Sequence, residues 1–422
     1  MHTPTTEPKL RPARRKTQRR WRIPPVLTQG PEVFEGLGVL DEVPGEGGVI
    51  LWQALRDATL WSEAAPEVRP ALFQRRGARS IPSPALPPEL APAVRDLQAL
   101  AASPGSGDPV RIAAACRAVA EWADERGLLS TALAFSQASA MADPTDAKAA
   151  YEVARLARRR AEEARAETWY RRTVAVARQR GDWATYARAF LGLGSLHARR
   201  GSLAAARRFY MRALRAADRN TLRELEGRAL HKLFLAAAEG GQRREAVRLA
   251  ATALELYGPH HPRTTRLAFD VARHWVAGGH FTRALPILRA LQRDSEAGPL
   301  RLAVLSELAR AAAGTHDADG FLDAWTQAWE AARDEPKAPP PVRAILSLSR
   351  AAAAMGAWNK AESAARHALS IAADARGRTA AEALLDAVTR RAAPAAPQPA
   401  EPPELATAAD TLATQLERAL TR

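Results

Sequence analysis

The chain has 422 residues, a formal net charge of +15 and a single cysteine, Cys116. Its length exceeds that of one ordinary hydrophobic core, so it accommodates two or three domains or one elongated array. The lone cysteine has no partner for a disulfide within the chain, and no run of about 20 apolar residues is present to cross a bilayer. These features argue against a disulfide-rich secreted domain and a helical membrane protein, and we expect a cytoplasmic location.

The N-terminal end is basic, whereas the stretch that follows it is acidic. Residues 1–22 contain eight lysines and arginines and one acid, and residues 30–70 contain eight acids and two arginines. The basic start lacks the apolar segment of a secretory signal, and we expect residues 1–30 to form a disordered arm. An arm plus a scattered positive surface favours nucleic acid less strongly than one compact basic patch does.

Prolines divide the rest of the chain. Sixteen of the 30 prolines lie before residue 110 and five more lie in 394–403, so proline is sparse between about 111 and 392, where apolar residues recur at helical spacing. We expect a proline-rich, partly helical region over 31–110. Within it, the apolar stretch 47–61 is predicted to be a helix that either covers the first repeat of the central region, which is the favoured role, or forms a small partner-binding element.

A repeated phrase occupies the central region. In five copies a glycine precedes an alanine by five residues, and two degenerate copies carry only the alanine. The alanines of the seven copies are Ala132, Ala166, Ala206, Ala246, Ala284, Ala324 and Ala361. Their spacing of 34 to 40 residues indicates a solenoid of paired helices. Glycine ends the first helix in the left-handed conformation, and alanine lets the second helix approach closely.

Two helices are expected after the last repeat. The segment 378–393 has the pattern of a helix that covers the open end of the array, and residues 393–404 form a Pro/Ala linker. Beyond the linker, an amphipathic helix over 405–421 carries Leu405, Leu412, Leu416 and Leu420 on one face. The pattern leaves open whether this helix docks in a groove of the array, pairs between chains or binds a partner.

The phrase FLGLGSLHARRGSLAAARRFYMRAL, residues 190–214, resembles the tetratricopeptide repeat (TPR) family almost position by position. The stretch 257–291 is similar to the longer variant of kinesin light chains, with a His-Pro before the first helix and Pro286 in the second. The resemblance implies an all-α fold. We expect a right-handed superhelical α-solenoid of about seven TPR-like helix pairs, with a C-terminal capping helix, over 111–392, together with flanking helices and Pro-rich linkers.

Within the TPR family, the first helices of the pairs line a concave groove that receives a peptide or a partner protein. The resemblance implies that the equivalent positions of this chain line such a groove. These positions form rows of residues, and the basic residues among them suit the carboxylates of an acidic segment. The candidate groove residues are Lys148, Tyr151, Arg155, Arg188, Arg228, His231, Arg266, Phe269, Arg273, Arg343 and Arg350. Arginine is also the commonest polar residue of the chain, so ordinary solvated helix faces would give the same rows.

Signals for catalysis or metal binding are weak. His260 and His261 lack a third ligand at helical spacing, which indicates a turn or cap rather than a metal site. Asp270 and His274 are one turn apart and are interpreted as a surface pair rather than a catalytic dyad. Cys116 falls at a packing position and is interpreted as a buried structural thiol. We therefore expect no enzymatic activity, no cofactor and no metal.

Two functional classes remain open. The first is a non-catalytic cytoplasmic TPR adaptor that binds a protein or peptide, with an acidic segment as the favoured ligand. The second is a transcriptional or signalling regulator, as in bacterial factors that join such repeats to a DNA-binding unit. It would sense a peptide and contact nucleic acid weakly and non-specifically through the basic arm, although residues 1–110 show no helix-turn-helix pattern. The sequence makes no prediction of the oligomeric state.

Overall fold

The computed structural model describes residues 36–74, 86–294, 299–334, 341–392 and 401–421. These residues form twenty α-helices and no strand, which confirms the predicted all-α class. None of the helices in the described ranges is long and apolar enough to span a membrane. The predicted arm 1–30 and most of the predicted linker 393–404 lie outside the described residues.

The chain divides into two compact units, Met1–Ala189 and Phe190–Arg422, called here the N-terminal and the C-terminal unit. The described part of the N-terminal unit starts with four α-helices. They are α1 (Gly36–Glu42), α2 (Glu46–Glu63), α3 (Arg69–Gln74) and α4 (Ala91–Ala102). The helix predicted over 47–61 is present as α2.

The first helix pair of the N-terminal unit is covered by these N-terminal helices. The pair consists of α5 (Pro109–Glu125) and α6 (Leu129–Ala142), and α1, α2 and α4 pack on it. Glu42, the last residue of α1, accepts hydrogen bonds of 2.8 Å from the backbone N–H groups of Ser130 and Thr131. This carboxylate therefore caps the N-terminus of α6, where the helix dipole favours an anion.

Within each unit, consecutive helices pair and stack. The N-terminal unit continues with α7 (Ala147–Arg159), α8 (Glu163–Arg180) and the start of α9 (Trp183–Arg199). The C-terminal unit contains the end of α9, then α10 (Leu203–Arg219), α11 (Arg223–Glu239), α12 (Arg243–Tyr257), α13 (Pro262–Ala277), α14 (Phe281–Asp294), α15 (Pro299–Gly314), α16 (Ala318–Asp334), α17 (Val342–Ala354) and α18 (Trp358–Ile371). These helices make seven pairs from α5/α6 to α17/α18, as predicted. The handedness of the superhelix stays a prediction.

The turn inside each pair has one geometry. A residue with positive φ follows the first helix, and the N–H of the next residue bonds to a carbonyl five residues earlier, as from Ser202 to His197 at 2.9 Å. This is the hydrogen bond of the Schellman motif, which ends a helix in the left-handed conformation. The left-handed residues of the seven turns are Gly127, Ala161, Gly201, Gly241, Gly279, His316 and Gly356. Glycine closes the first helix in five of them, as the sequence predicted.

The turns also correct the register of the sixth copy. In the other six pairs, the repeat alanine lies five residues after the left-handed residue. The left-handed residue of the sixth turn is His316 (φ 58°), so the equivalent position is Phe321 and not the predicted Ala324. Phe321 is buried, and an aromatic ring therefore fills a site that alanine fills elsewhere. The predicted position was three residues too late because the turn residue is not a glycine.

Small residues in first helices accommodate aromatic rings from second helices. A Cβ atom added to Gly194 of α9 would lie 2.3 Å from Cε1 of Tyr210 in α10, and one added to Gly227 of α11 would lie 2.7 Å from the Tyr257 ring of α12. Both tyrosine rings are buried. The alternation of small and large residues along the sequence thus reflects direct contact between the two helices of a pair.

The last two helices occupy different places in the C-terminal unit. They are α19 (Ala375–Thr389) and α20 (Pro403–Thr421). α19 packs on α17 and α18, where a helix that covers the end of the array was predicted. α20 packs on α12, α13 and α14 and buries Leu405, Leu412 and Leu416. The helix thus packs on the array, but mainly against the second helices α12 and α14 and not in the groove of first helices that the sequence offered as one alternative.

Candidate partner-binding surface

The candidate residues lie on first helices of the pairs. In the N-terminal unit they are on α7 and the start of α9, and in the C-terminal unit they are on α11, α13 and α17. The exposed ones are Lys148, Arg266 and Arg343; the half-buried ones are Tyr151, Arg155, Arg188, Arg228, Arg273 and Arg350; the buried ones are His231 and Phe269. Their role in binding stays a prediction, and the two units are described separately.

In the N-terminal unit, Arg155 is paired with carboxylates of the protein itself. Its Nη2 lies 2.6 Å from Oδ2 of Asp124 on α5, and its Nε lies 2.5 Å from Oε2 of Glu152. Burial would raise the pKa of Asp124, but hydrogen bonds and charge from Arg155 and Arg159 outweigh it and hold that pKa below its ordinary value. Part of the positive charge predicted for this face is therefore balanced by acids on the same helices.

In the C-terminal unit, Asp270 of α13 is the centre of a buried charged network. The side chain is only 3% exposed, and its Oδ2 lies 3.1 Å from Nε2 of His231 on α11 and 3.3 Å from Nε of Arg266. Nη2 of Arg273 lies 3.1 Å from Oδ1, but without the alignment of a hydrogen bond. Burial would raise the pKa of Asp270, yet the bond from His231 and the two arginines hold it low, so the carboxylate is charged.

Phe269 of α13 supports two of these arginines. The guanidinium carbons of Arg266 and Arg273 both lie 5.6 Å from the centre of its ring. This distance falls within the range of cation–π attraction. The ring is only 3% exposed. It therefore packs against both guanidinium groups and orients them, and it does not offer an exposed apolar surface to a ligand.

Glu307 of α15 is a second buried carboxylate on the same face. Its Oε1 accepts a 2.9 Å hydrogen bond from Oγ of Ser347 on α17, while Oε2 is buried without a hydrogen-bond donor among the described residues. Burial raises the pKa of Glu307, and the nearby charges of Arg310, Arg273 and Arg350 offset this only in part. A protonated fraction of Glu307 therefore persists to higher pH than for an exposed glutamate.

Five arginines interact electrostatically with these two acids or with one another and are called here the arginine cluster. They are Arg266, Arg273, Arg310, Arg343 and Arg350. Burial lowers the pKa of Arg273, and repulsion from Arg343 and Arg266 adds to the effect. Burial likewise lowers the pKa of Arg350, with repulsion from Arg310 and Arg343. The guanidinium groups are close enough to repel one another, so the face carries an excess of positive charge over Asp270 and Glu307.

Three members of this network were missed by the sequence reasoning. Arg310 lies on α15, the first helix of the sixth pair, and none of the candidate groove residues came from that helix. Glu307 and the role of Asp270 were missed because each has a partner about 40 residues away, on the next first helix. The register read from the turns would have shown these pairs, since residues one repeat apart occupy neighbouring helices.

The predicted pair of Asp270 and His274 is not formed. Asp270 is buried, so the interpretation as a surface pair is wrong, and its histidine partner is His231 of the preceding first helix. His261 accepts a 3.1 Å hydrogen bond at Nδ1 from the N–H of Arg263, which confirms its interpretation as a helix cap. In the part of the chain that the structure describes, no group of three or more His, Cys, Asp or Glu residues is placed to hold a metal ion.

Cys116 is buried in α5, in agreement with its interpretation as a structural thiol. Burial raises the pKa of this thiol to about 12. At neutral pH the side chain is therefore the protonated form, which is a poor nucleophile and a poor metal ligand.

No family model matches the chain, and no curated protein matches it. The solved structures similar to it include a Podosopora anserina putative kinesin light chain with nearly identical TPR-like repeats, at 19% identity over 46% of this chain and 98% of the other (TM-score 0.38). Pseudomonas aeruginosa pilF has 17% identity over 54% of this chain and 93% of the other (TM-score 0.41). A Rap protein complexed with Competence and Sporulation Factor has 7% identity over 86% and 99% (TM-score 0.45). The neighbours of this all-α chain thus include TPR-type repeat proteins, the family that its sequence resembles.

Proposed function

We propose that this protein is a non-catalytic, cytoplasmic scaffold that binds an acidic segment of a partner protein at the arginine cluster. The observation that carries the proposal is the cluster itself, in which five arginines on α13, α15 and α17 interact electrostatically with two buried carboxylates or with one another. The cluster lies on first helices, and these are the helices that the TPR resemblance assigns to the ligand.

The chemistry of the cluster supports a carboxylate-bearing ligand. A guanidinium group presents several N–H donors in a planar fork that matches a carboxylate, and the pairing is strongest where water is excluded. Arg273 and Arg350 are partly buried, and the mutual repulsion of the arginines is relieved when an anion arrives. A ligand carboxylate would therefore gain attraction and remove an existing strain between like charges.

The other candidate residues are proposed to act at longer range. Arg228 of α11 belongs to the same unit, and Lys148 and Arg188 belong to the N-terminal unit. Exposed charges contribute about 0 to 1 kcal/mol each, so none of them should decide the affinity alone. Their proposed effect is to speed association with an acidic partner, whereas partly buried contacts slow its release.

Charge reversal within the cluster tests the proposal. The probe is a fluorescein-labelled peptide in which glutamates alternate with leucines, compared with the same peptide carrying lysines. The double variant Arg266→Glu/Arg343→Glu changes two exposed members of the cluster, and it should weaken binding of the acidic peptide by roughly tenfold, since each reversal replaces an attraction with a repulsion. Binding is measured by fluorescence anisotropy, with circular dichroism to confirm that the helices remain.

The matched control is Arg208→Glu/Arg215→Glu, which reverses two exposed arginines on the second helix α10. Arg207 and Arg248 are less suitable as controls because both pair with Glu245. The control should change the affinity by less than about twofold. If both double variants weaken binding equally, the attraction comes from the general positive charge of the protein and the proposal fails.

The second candidate function is a regulator that contacts nucleic acid. The observation that favours it is the group of eight cations in residues 1–22, which lies outside the described residues.

A further inference from the structure

α20 lies along two neighbouring second helices of the C-terminal unit and runs in the same direction as both. Near its start, Glu404 pairs with Arg244 of α12, and Glu401 pairs with Arg283 of α14. At its other end, residues 419–421 line a cavity together with Ala290 and Arg293 near the end of α14. The helix thus adds a third parallel member to the layer that α12 and α14 form.

One face of α20 makes the apolar contact. Leu405, Ala409, Leu412 and Leu416 are buried and are spaced by four, three and four residues, which places them on one stripe of a helix. Thr407, Thr411 and Thr414 on other faces are exposed. α20 therefore packs on α12, α13 and α14 by one face and leaves its other faces exposed.

Charge complementarity fixes the position of α20 on this surface. Arg283 has a side chain only 9% exposed, and it donates to Glu401 and, through Nε at 2.7 Å, to Asp410. The pair between Arg244 and Glu404 is exposed and contributes less. Acids at the start of α20 also suit its own helix dipole. Arg244 and Arg283 thus face acids in and just before the first half of α20, while Glu245 and Glu255 of α12 also lie beside the helix.

The contact around α20 is incomplete. A half-open cleft of about 560 Å³ lies between it and part of α12, lined among others by Val247, Ala251 and Thr411. A second cavity of about 530 Å³ lies at its C-terminal end. Moreover, α12 and α14 already pack against their own repeat partners, α11 and α13. The array does not need α20 to complete its helix pairs.

We propose that the surface of α12 and α14 is a docking site for an acidic amphipathic helix of a partner protein, and that α20 occupies it as a removable substitute. The partner helix would carry apolar residues at the spacing of α20 and acids in its first turns, facing Arg244 and Arg283. A second copy of this chain is a poorer occupant. Its α20 has the same sequence and competes against a tethered copy whose effective concentration is in the millimolar range.

The test uses a fluorescein-labelled peptide of residues 401–421 and the full chain. In the variant Leu412→Asp/Leu416→Asp, the tethered helix loses its apolar contact and releases the surface. We expect the peptide to bind this variant at least tenfold more tightly than it binds the unmodified chain. A peptide carrying the same two aspartates should not bind, and adding Arg283→Glu to the released variant should weaken binding of the unmodified peptide several-fold.

Hydrogen exchange on the unmodified chain is the second measurement, which needs no variant. Amides of α20 should exchange faster than those of α12 and α14, because the helix opens without unfolding the array. The proposal is overturned if α20 exchanges together with α12 and α14, or if the peptide binds both chains equally or neither. A dimer of the unmodified chain that the aspartate variant abolishes would show that the occupant is a second copy, which also overturns it.

Discussion

The two buried acids of the arginine cluster have opposite titration behaviour. The pKa of Glu307 is raised by burial, whereas the pKa of Asp270 is lowered because His231 and two arginines outweigh its burial. A raised pKa favours folding below the unfolded value near 4.5, and that contribution is lost as pH rises. A lowered pKa favours folding above the unfolded value near 3.8, and that contribution is lost as pH falls. As pH rises, ionisation of Glu307 therefore lowers the free energy of unfolding, whereas ionisation of Asp270 raises it.

We predict opposite pH dependences for the two neutral substitutions. Glu307→Gln keeps a group that can bond to Ser347 but cannot ionise, so its stability relative to the unmodified protein should improve as pH rises above 4.5. Asp270→Asn should lower the free energy of unfolding most at neutral pH, because it removes a paired charge there, and less as pH falls below about 4. Each pKa unit of difference between the folded and unfolded states changes the free energy of unfolding by about 1.4 kcal/mol. Urea unfolding at several pH values measures both, and parallel curves for the two variants would contradict the prediction.

The sequence predicted part of this network and missed the rest for a physical reason. Arg266, Arg273, Arg343 and Arg350 were found because one helix face repeats at the repeat period. Glu307 was missed because its significance depends on burial and on Ser347, a residue 40 positions away. A carboxylate that is exposed and one that is buried look the same in a sequence, and only the packing of neighbouring helices distinguishes them.

At the scale of the helix, the turn and the small residues made the pairs predictable. Gly201 ends α9 and Ala206 packs in α10, and the same pair of signals occurs in four other repeats. The glycine signal is absent where the left-handed residue is Ala161 or His316. Residues other than glycine adopt this conformation at an energetic cost, which the rest of the fold offsets. The position of α20 was also unpredictable, since a stripe of leucines fits many apolar surfaces.

A substitution at Gly194 tests whether contact between the two helices of a pair is the reason that a small residue occupies this position. In an exposed helix, glycine to alanine stabilises by about 1 kcal/mol because alanine has the better helix propensity. In α9 the new Cβ would lie 2.3 Å from the buried Tyr210 ring, so we expect Gly194→Ala to destabilise the protein by roughly 1 to 3 kcal/mol. Thermal or urea unfolding measures the change. In a Tyr210→Ala background the same substitution should become neutral or stabilising, and an equal cost in both backgrounds would contradict the contact.

At the scale of the whole molecule, the basic residues that give the net charge of +15 lie in several separate places, and their consequences for binding differ. The arginine cluster and the arginines that contact α20, Arg244 and Arg283, both lie in the C-terminal unit, and both are proposed to bind acidic protein segments. Lysine provides only six of the 61 basic residues, and so strong a bias toward arginine can also reflect a GC-rich coding sequence. Charge alone therefore does not choose between a protein ligand and nucleic acid, and the location of any nucleic-acid affinity must be measured.

We predict that any affinity for DNA resides in residues 1–22 and is non-specific. These residues carry eight cations and one acid, which is enough for several phosphate contacts, and phosphate contacts carry no sequence information directly. Six to ten such contacts lose on the order of a thousandfold or more in affinity between 50 and 200 mM salt. Deleting residues 1–22 should abolish binding to a labelled duplex and leave the helical circular dichroism unchanged, while binding of the acidic peptide at the arginine cluster is retained. Sequence-selective DNA binding by the shortened chain at about 150 mM salt would identify the protein as a regulator and exclude the scaffold as its sole function.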